Sequence, residues 1–225
     1  IEECGISTLY HPVPGYYVTG MGDSVAGCCL DFIMNTLCDH EKQEAEKKGM
    51  TVYQYVEDMI ADREPTGILF QPYPFGNMFS KHAGAGFTGI RSWHTKADIL
   101  RAVYEGIVMG YKTYCTLLAD CDKCDVHWLI GGGAKSKVFG QMFADIFGVT
   151  VKIPVTSEIT ARGAVLNALV GLGVCKDHEE ATIPVGVKAE YTPDPEKKEF
   201  YAKKFEAFGE LSQALMGVWA KLNTL

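Results

Sequence analysis

Three consecutive glycines, Gly131, Gly132 and Gly133, stand between an apolar run at 126–130 and an amphipathic run at 137–147, and Ala134-Lys135-Ser136-Lys137 follows them. Glycine carries no Cβ, so a ligand can approach the backbone of such a turn, and a helix starting behind it offers unpaired N–H donors. The chemistry open to this arrangement is the binding of a phosphorylated or nucleoside ligand. The spacing is neither GxGxxG nor GxxxxGK[ST], so it supports neither the dinucleotide-binding fingerprint nor the P-loop. A second reading stays open, a tight strand-to-helix turn in which the glycines serve geometry alone.

The other residues able to do chemistry are less organised. Eight cysteines, Cys4, Cys28, Cys29, Cys38, Cys115, Cys121, Cys124 and Cys175, are scattered, and several fall inside apolar patterns where cysteine acts as a small hydrophobe. Cys121, Cys124 and His127 form the one metal-like spacing, and no second pair completes four ligands, so no metal site is expected. His11, His40 and His178 lie in polar or loop settings and read as solvated, His94 beside Thr95 reads as a helix-start residue, and Trp128 and Trp219 read as core.

Composition sets the frame. The chain has 225 residues, 47% hydrophobic, with a formal net charge of -7, enough to bury a full core and without the basic surface that nucleic acid or an anionic membrane would need. A phosphate would have to be held by local N–H groups, a helix N-terminus or a bridging metal. No run approaches the ~20 apolar residues of a membrane span, no signal peptide opens the chain, and the scattered cysteines fit a reducing cytoplasm. The first residue is Ile1 rather than Met, and an upstream part is expected.

The elements that must position the loop follow from periodicity. A strand is expected at 15–19, then a turn with the capping residue types Asp23 and Ser24, and then a helix carrying Leu30, Phe32, Ile33 and Leu37. Surface-covering helices are expected at 40–48 and at 52–60, the latter with Tyr53, Val56 and Ile60 on one face. A short buried strand at 67–70 leads into a long Pro-, Gly- and Asn-rich loop at 72–88. Thr95 and Asp98 form a capping-box variant that starts a helix running to about Leu118, where Gly106 and Gly110 allow close packing. A buried strand at 126–130, the glycine turn, a helix at 137–147, a strand at 149–153 and a helix at 158–172 argue a doubly wound α/β sheet. A helix within 193–222 closes the chain.

The segment GGGAKSKVFGQMFADIFGVTVKIP at 131–154 resembles the adenosine-binding segment of the FGGY carbohydrate kinases, xylulokinase and L-xylulose kinase-like members in particular. EITARGA at 158–164 resembles the family helix that follows, whose small residues let it pack beside the nucleotide loop. AGFTG at 85–89 resembles G-x-F-x-G with Ala85 for the first Gly, His94-Thr95 resembles H-T, and ILRAVYEG at 99–106 resembles [IL]-x-R-A-x-x-E-G. The resemblance implies an α/β fold of the actin-like ATPase (ribonuclease H-like) type, a central mixed sheet flanked by helices. Residues 1–225 would form the C-terminal, ATP-binding domain, with the 193–222 helix packed on it. It implies MgATP as phosphoryl donor, with Gly133, Ala134 and Lys137 around the adenosine, Gly132 and Ser136 shaping the loop, and Gly27 and Asp31 supplying a second contact. Asp31 would bond a ribose hydroxyl or stand as a solvated carboxylate.

The departures are as informative. The family's catalytic Asp belongs to an N-terminal, sugar-binding half with no counterpart here, Lys137 stands where relatives often have Asn, and Gly5-Ile6-Ser7-Thr8 lacks the phosphate-turn pattern G-T-[ST]. Gly76-Asn77-Met78-Phe79-Ser80 replaces G-E-R-x-P, a change toward the L-xylulose kinase-like members. The expected partners are a small sugar or polyol and the chain's own N-terminal domain, with a homodimer left open; the sugar itself cannot be read from these residues. A non-catalytic nucleotide-binding or sugar-sensing domain is the alternative. A relative of acetate kinase or of heat-shock ATPases should lack R-A-x-x-E-G and G-G-G-A-K-S together, and both are present.

Overall fold

The computed structural model describes residues 6–22, 25–118 and 124–224. Along the chain run β1 (Ser7–Tyr10), β2 (Tyr17–Gly20), α1 (Gly27–Leu37), α2 (Asp39–Lys47), α3 (Val52–Ile60), β3 (Leu69–Gln71), β4 (Gly86–Thr88) and α4 (Lys96–Cys115). Then follow β5 (Val126–Trp128), α5 (Lys137–Phe147), β6 (Thr150–Pro154), α6 (Ile159–Gly171), α7 (His178–Ala181), β7 (Val187–Tyr191) and α8 (Lys198–Leu222).

Helix α4 is the axis of the core, with every residue from Leu100 to Gly110 buried. Its start is fixed by a reciprocal capping box. The Thr95 hydroxyl oxygen accepts from the Asp98 N–H, and Asp98 Oδ2 accepts from the Thr95 N–H at 2.7 Å, which satisfies orphan donors and holds the Asp98 carboxyl below its usual range. Gly106 brings the helix directly onto β3, since a Cβ there would lie 2.3 Å from the Phe70 carbonyl oxygen. Gly110 meets Pro72 in the same way, at 3.2 Å.

Helix α8 packs against α4, α5 and β3 with Tyr201, Lys204, Phe208 and Trp219 buried. A buried charged cluster joins them. Glu105 accepts from Arg101 at 3.0 Å, from the Tyr201 hydroxyl at 2.9 Å and from Lys204. Arg101 also donates to the Ile60 carbonyl at the end of α3, and Lys204 to the Thr66 carbonyl. Burial lowers the Lys204 ammonium's pKa, and Glu105 opposes that shift. Every charge in the cluster thus has a partner, the condition under which burial of charge is tolerated.

The sheets are small. β1 pairs with β2 and β3 with β4, both antiparallel, while β5-β6-β7 is a mixed sheet in which β5 runs parallel and β7 antiparallel to β6. The long loop at 72–88 therefore ends in a strand, and β7 adds an antiparallel partner that the parallel, doubly wound pattern does not contain. The sequence reads 126–130 as buried and Trp128 as core, but Val126 is 39% and Trp128 48% exposed. The reason is the pleat. β5 is an edge strand, and its period of two sends Val126 and Trp128 to the open face while His127 packs its ring 5.2 Å from that of Phe147. Trp219, 5% exposed, is core, with its ring 6.0 Å from that of Tyr73.

The capping residues Asp23 and Ser24, and Cys121 of the metal-like spacing, lie outside the described residues. Cys29 and Cys38 are buried, and burial pushes the Cys29 thiol up to about 12. His94 accepts the Arg91 N–H at 3.0 Å in the turn before α4, in keeping with a helix-start role. No helix among the described residues is long and apolar enough to cross a membrane.

Candidate functional site

The glycine loop is built by its two ends. At one end Leu129 donates to the Lys152 carbonyl, which ties the loop to β6, and Gly131 then turns through φ +81°, a conformation that side chains disfavour. Residues Gly132–Lys135 form one 3₁₀ turn, and the buried Ser136 caps α5 by accepting the Phe139 N–H at 3.0 Å. Gly140 lets α5 lie against the Tyr191 ring, where a Cβ would come within 2.3 Å, and Gly148 ends the helix in the left-handed conformation. Gly132 and Gly133 are different. A Cβ at either would meet nothing within 4 Å, so the space before them is open.

That space is a cleft of about 690 Å³ between the loop, the start of α1, α3 and α4. Its apolar walls come from Leu30, Ile107, Tyr111, Leu129, Phe139 and Phe143. Ala26 and Gly27 bring the N-terminus of α1 to its edge, and among the described residues no side chain caps that helix, so its first N–H groups can face an anion. Asp31 lines the cleft one helical turn further on and accepts the Tyr53 hydroxyl at 2.6 Å. Burial, followed by this bond to Asp31, pushes the Tyr53 phenol up to about 12. Burial also raises the Glu57 carboxyl; the nearby Ser136 hydroxyl opposes the shift, and the Asp58 charge adds to it.

Five of the seven residues that the sequence points to, Gly27, Asp31, Gly132, Gly133 and Ser136, line this one cleft. Ala134 faces a smaller pocket of about 280 Å³ on the far side of the loop, with Pro154, Thr156 and Lys188. Lys137 is exposed at the first position of α5 and is absent from both linings. Helix α6 lines neither pocket; it packs on α7 and buries none of its residues.

Sequence reading passes over Thr51, Tyr53, Gln54 and Glu57, because 52–60 has the pattern of a surface-covering helix. The signal that could have found Glu57 is its spacing, four residues after Tyr53 and so on the same face. Among the described residues no three His, Cys, Asp or Glu side chains converge on a metal site. A magnesium ion carried by a nucleotide's own phosphates needs no such cage.

The sequence profile of the C-terminal domain of the FGGY family of carbohydrate kinases matches residues 1–172. The chain belongs to this family. An L-xylulose/3-keto-L-gulonate kinase of Escherichia coli is 33% identical over 180 residues, 78% of this chain and 36% of that protein. An autoinducer-2 kinase of Escherichia coli is 28% identical over 227 residues, covering 96% of this chain and 42% of that protein. The crystal structure of a gluconate kinase from Lactobacillus acidophilus superposes with a TM-score of 0.82 at 23% identity, over 97% of this chain and 44% of that one. The FGGY fold, actin-like and mixed α/β, is thereby shown for this chain, which spans roughly two fifths of the length of these relatives.

Proposed function

We propose that this chain is the nucleotide-binding half of an ATP-dependent kinase that phosphorylates a hydroxyl of a small sugar, a ketopentose such as xylulose or a polyol. The observation that carries the reading is the cleft itself, in which Gly27, Asp31, Gly132, Gly133 and Ser136 meet across an open, apolar-walled space. Its walls suit a purine, and the N–H groups at the start of α1 suit phosphate oxygens. Asp31, at the rim, suits a ribose hydroxyl. Gly132 and Gly133 let the nucleoside lie against bare backbone, and Ser136 fixes the loop's exit by capping α5. Ala134 and Lys137 flank this contact from the loop's other side and from the start of α5.

Bound magnesium would neutralise the phosphate charge, and phosphoryl transfer would otherwise rest on positioning and on a carboxylate base. In the step itself a sugar oxygen bonds the γ-phosphorus, the bond to the β-γ bridging oxygen breaks, and the hydroxyl proton passes to the base. That base, an Asp, is assigned to an N-terminal domain that also carries most of the sugar site. The sugar and sugar-acid kinases among the relatives support a small polyhydroxy substrate, and use of ATP favours the cytoplasm.

The test is calorimetric titration of ADP into the chain and into Gly133→Val. The new branched side chain occupies space that is empty in the fold, so the variant is expected to unfold at a similar temperature and to bind ADP at least about tenfold more weakly. Equal affinity in two folded proteins would remove the loop from the nucleotide site.

A further inference from the structure

Much of the polar lining of the cleft is already spent on the fold. The Thr51 hydroxyl and the Gln54 side-chain oxygen bond each other and each other's backbone N–H groups in the capping box that starts α3, and the Ser136 hydroxyl caps α5. That capping box sets Tyr53 in the first turn of α3, from which its hydroxyl donates to Asp31 Oδ1 on α1 at 2.6 Å. Burial and then this bond push the phenol up to about 12, so it keeps its proton and stays a donor across the neutral range. The other Asp31 oxygen, Oδ2, has no hydrogen-bond or ionic partner among the described residues.

Asp31 is exposed, and a carboxylate on an exposed helix face ordinarily moves among its rotamers. A bond from the half-buried Tyr53, whose ring has few torsions to lose, holds it in one place, and a group placed in advance costs less to order when a ligand arrives. Charge decides what the remaining oxygen can take. Among the described residues that line the cleft, Asp31 and Glu57 are the carboxylates and Lys135, in the glycine loop, is the one cation. A phosphate beside Asp31 would meet like charge, whereas a hydroxyl donates to it. A nucleotide in the cleft therefore lies with its sugar hydroxyls toward Asp31 and its phosphates away from it.

We propose that Tyr53 is a positioning residue for the sugar of the nucleotide: it holds Asp31 so that the free carboxylate oxygen accepts a hydrogen bond from a ribose hydroxyl, which makes the site prefer ribonucleotides to their deoxy counterparts. The inference rests on the cleft being the nucleotide site and on Asp31 lying at the ribose. Tyr53 bonds Asp31 and acts on the nucleotide only through it. A deoxy sugar leaves the exposed carboxylate to water, a smaller penalty than a buried orphan would carry, so the discrimination is moderate.

ADP, 2′-deoxy-ADP and 3′-deoxy-ADP are titrated into the chain, Tyr53→Phe, Asp31→Ala and the double variant. The unsubstituted chain is expected to favour ADP over at least one deoxy form by about threefold to tenfold, the worth of one exposed hydrogen bond. In Tyr53→Phe the carboxylate is no longer held, and the preference falls to within about twofold. Asp31→Ala gives the same fall, and adding Tyr53→Phe to it changes the ratio no further, as expected of two residues that act as one unit. A tie that merely braced α1 against α3 would, when cut, weaken all three nucleotides alike and leave their ratio standing. No preference before substitution, or one that either single variant leaves intact, overturns the inference while the nucleotide reading stands. A ratio that Tyr53→Phe still changes in the Asp31→Ala background also overturns it, because Tyr53 would then touch the ligand itself. Binding of none of the three nucleotides overturns both.

Discussion

At the residue scale, Glu57 leaves a signature that requires no ligand. Burial raises its carboxyl above the ordinary value of 4.5, so the folded chain keeps this proton over a pH range in which the unfolded chain has released it. Stability from this group is fully present below pH 4.5 and is lost as pH rises through the folded value, the direction linkage gives when the folded state binds more protons. Glu57→Gln removes the dependence. Chemical denaturation of both proteins from pH 4 to 8 is expected to show the variant gaining on the parent as pH rises; a gap that is flat or narrows would mean the carboxylate is not buried at a cost. The glycine loop stood out by the type and order of its residues, and Asp31, which lines the same cleft, was pointed to only by the family resemblance. Glu57 was not legible, because a carboxylate on an amphipathic helix looks ordinary until the fold sets it beside the cleft.

At the scale of elements, periodicity and capping were the readable parts. Thr95 with Asp98 fixed the start of α4, and the expected helix at 137–147 is the observed α5. Strand burial was not readable, since an apolar run such as 126–130 does not say whether its strand will lie at an edge. The two glycines of α4 could be read as contact points, and Gly106 turns that reading into a measurable contrast. In Gly106→Ala the new Cβ would sit 2.3 Å from a carbonyl oxygen of β3, a backbone atom that cannot swing away. The loss is expected to be about 1–3 kcal/mol in spite of alanine's better helix propensity. In Gly209→Ala, on α8, a Cβ meets nothing within 4 Å, and a gain of up to about 1 kcal/mol is expected. Urea denaturation of the pair checks both signs; a Gly106→Ala protein as stable as its parent would mean that α4 does not rest on β3 as described.

At the scale of the whole molecule, the chain pairs the cleft before the glycine loop with no assigned base. The described surface leaves α6 apolar with none of its residues buried, while the chain spans roughly two fifths of the proteins it matches. On the proposed reading, this chain alone binds ADP and transfers no phosphoryl group to a sugar. General-base catalysis typically contributes about 10²- to 10⁴-fold, and loss of substrate positioning adds to the deficit. The affinity for ADP is expected to be modest, because a lone half holds the nucleoside and leaves much of the phosphate charge in water. A coupled assay of ATP consumption against a panel of ketoses and polyols, run on the chain alone and on the chain co-expressed with its N-terminal domain, separates the possibilities. Turnover is expected only in the second case, and the sugar that supports it identifies the substrate. If the chain alone phosphorylates a ketose at the rate of the two halves together, the base lies within these 225 residues, and the division of labour between a nucleotide half and a catalytic half is wrong.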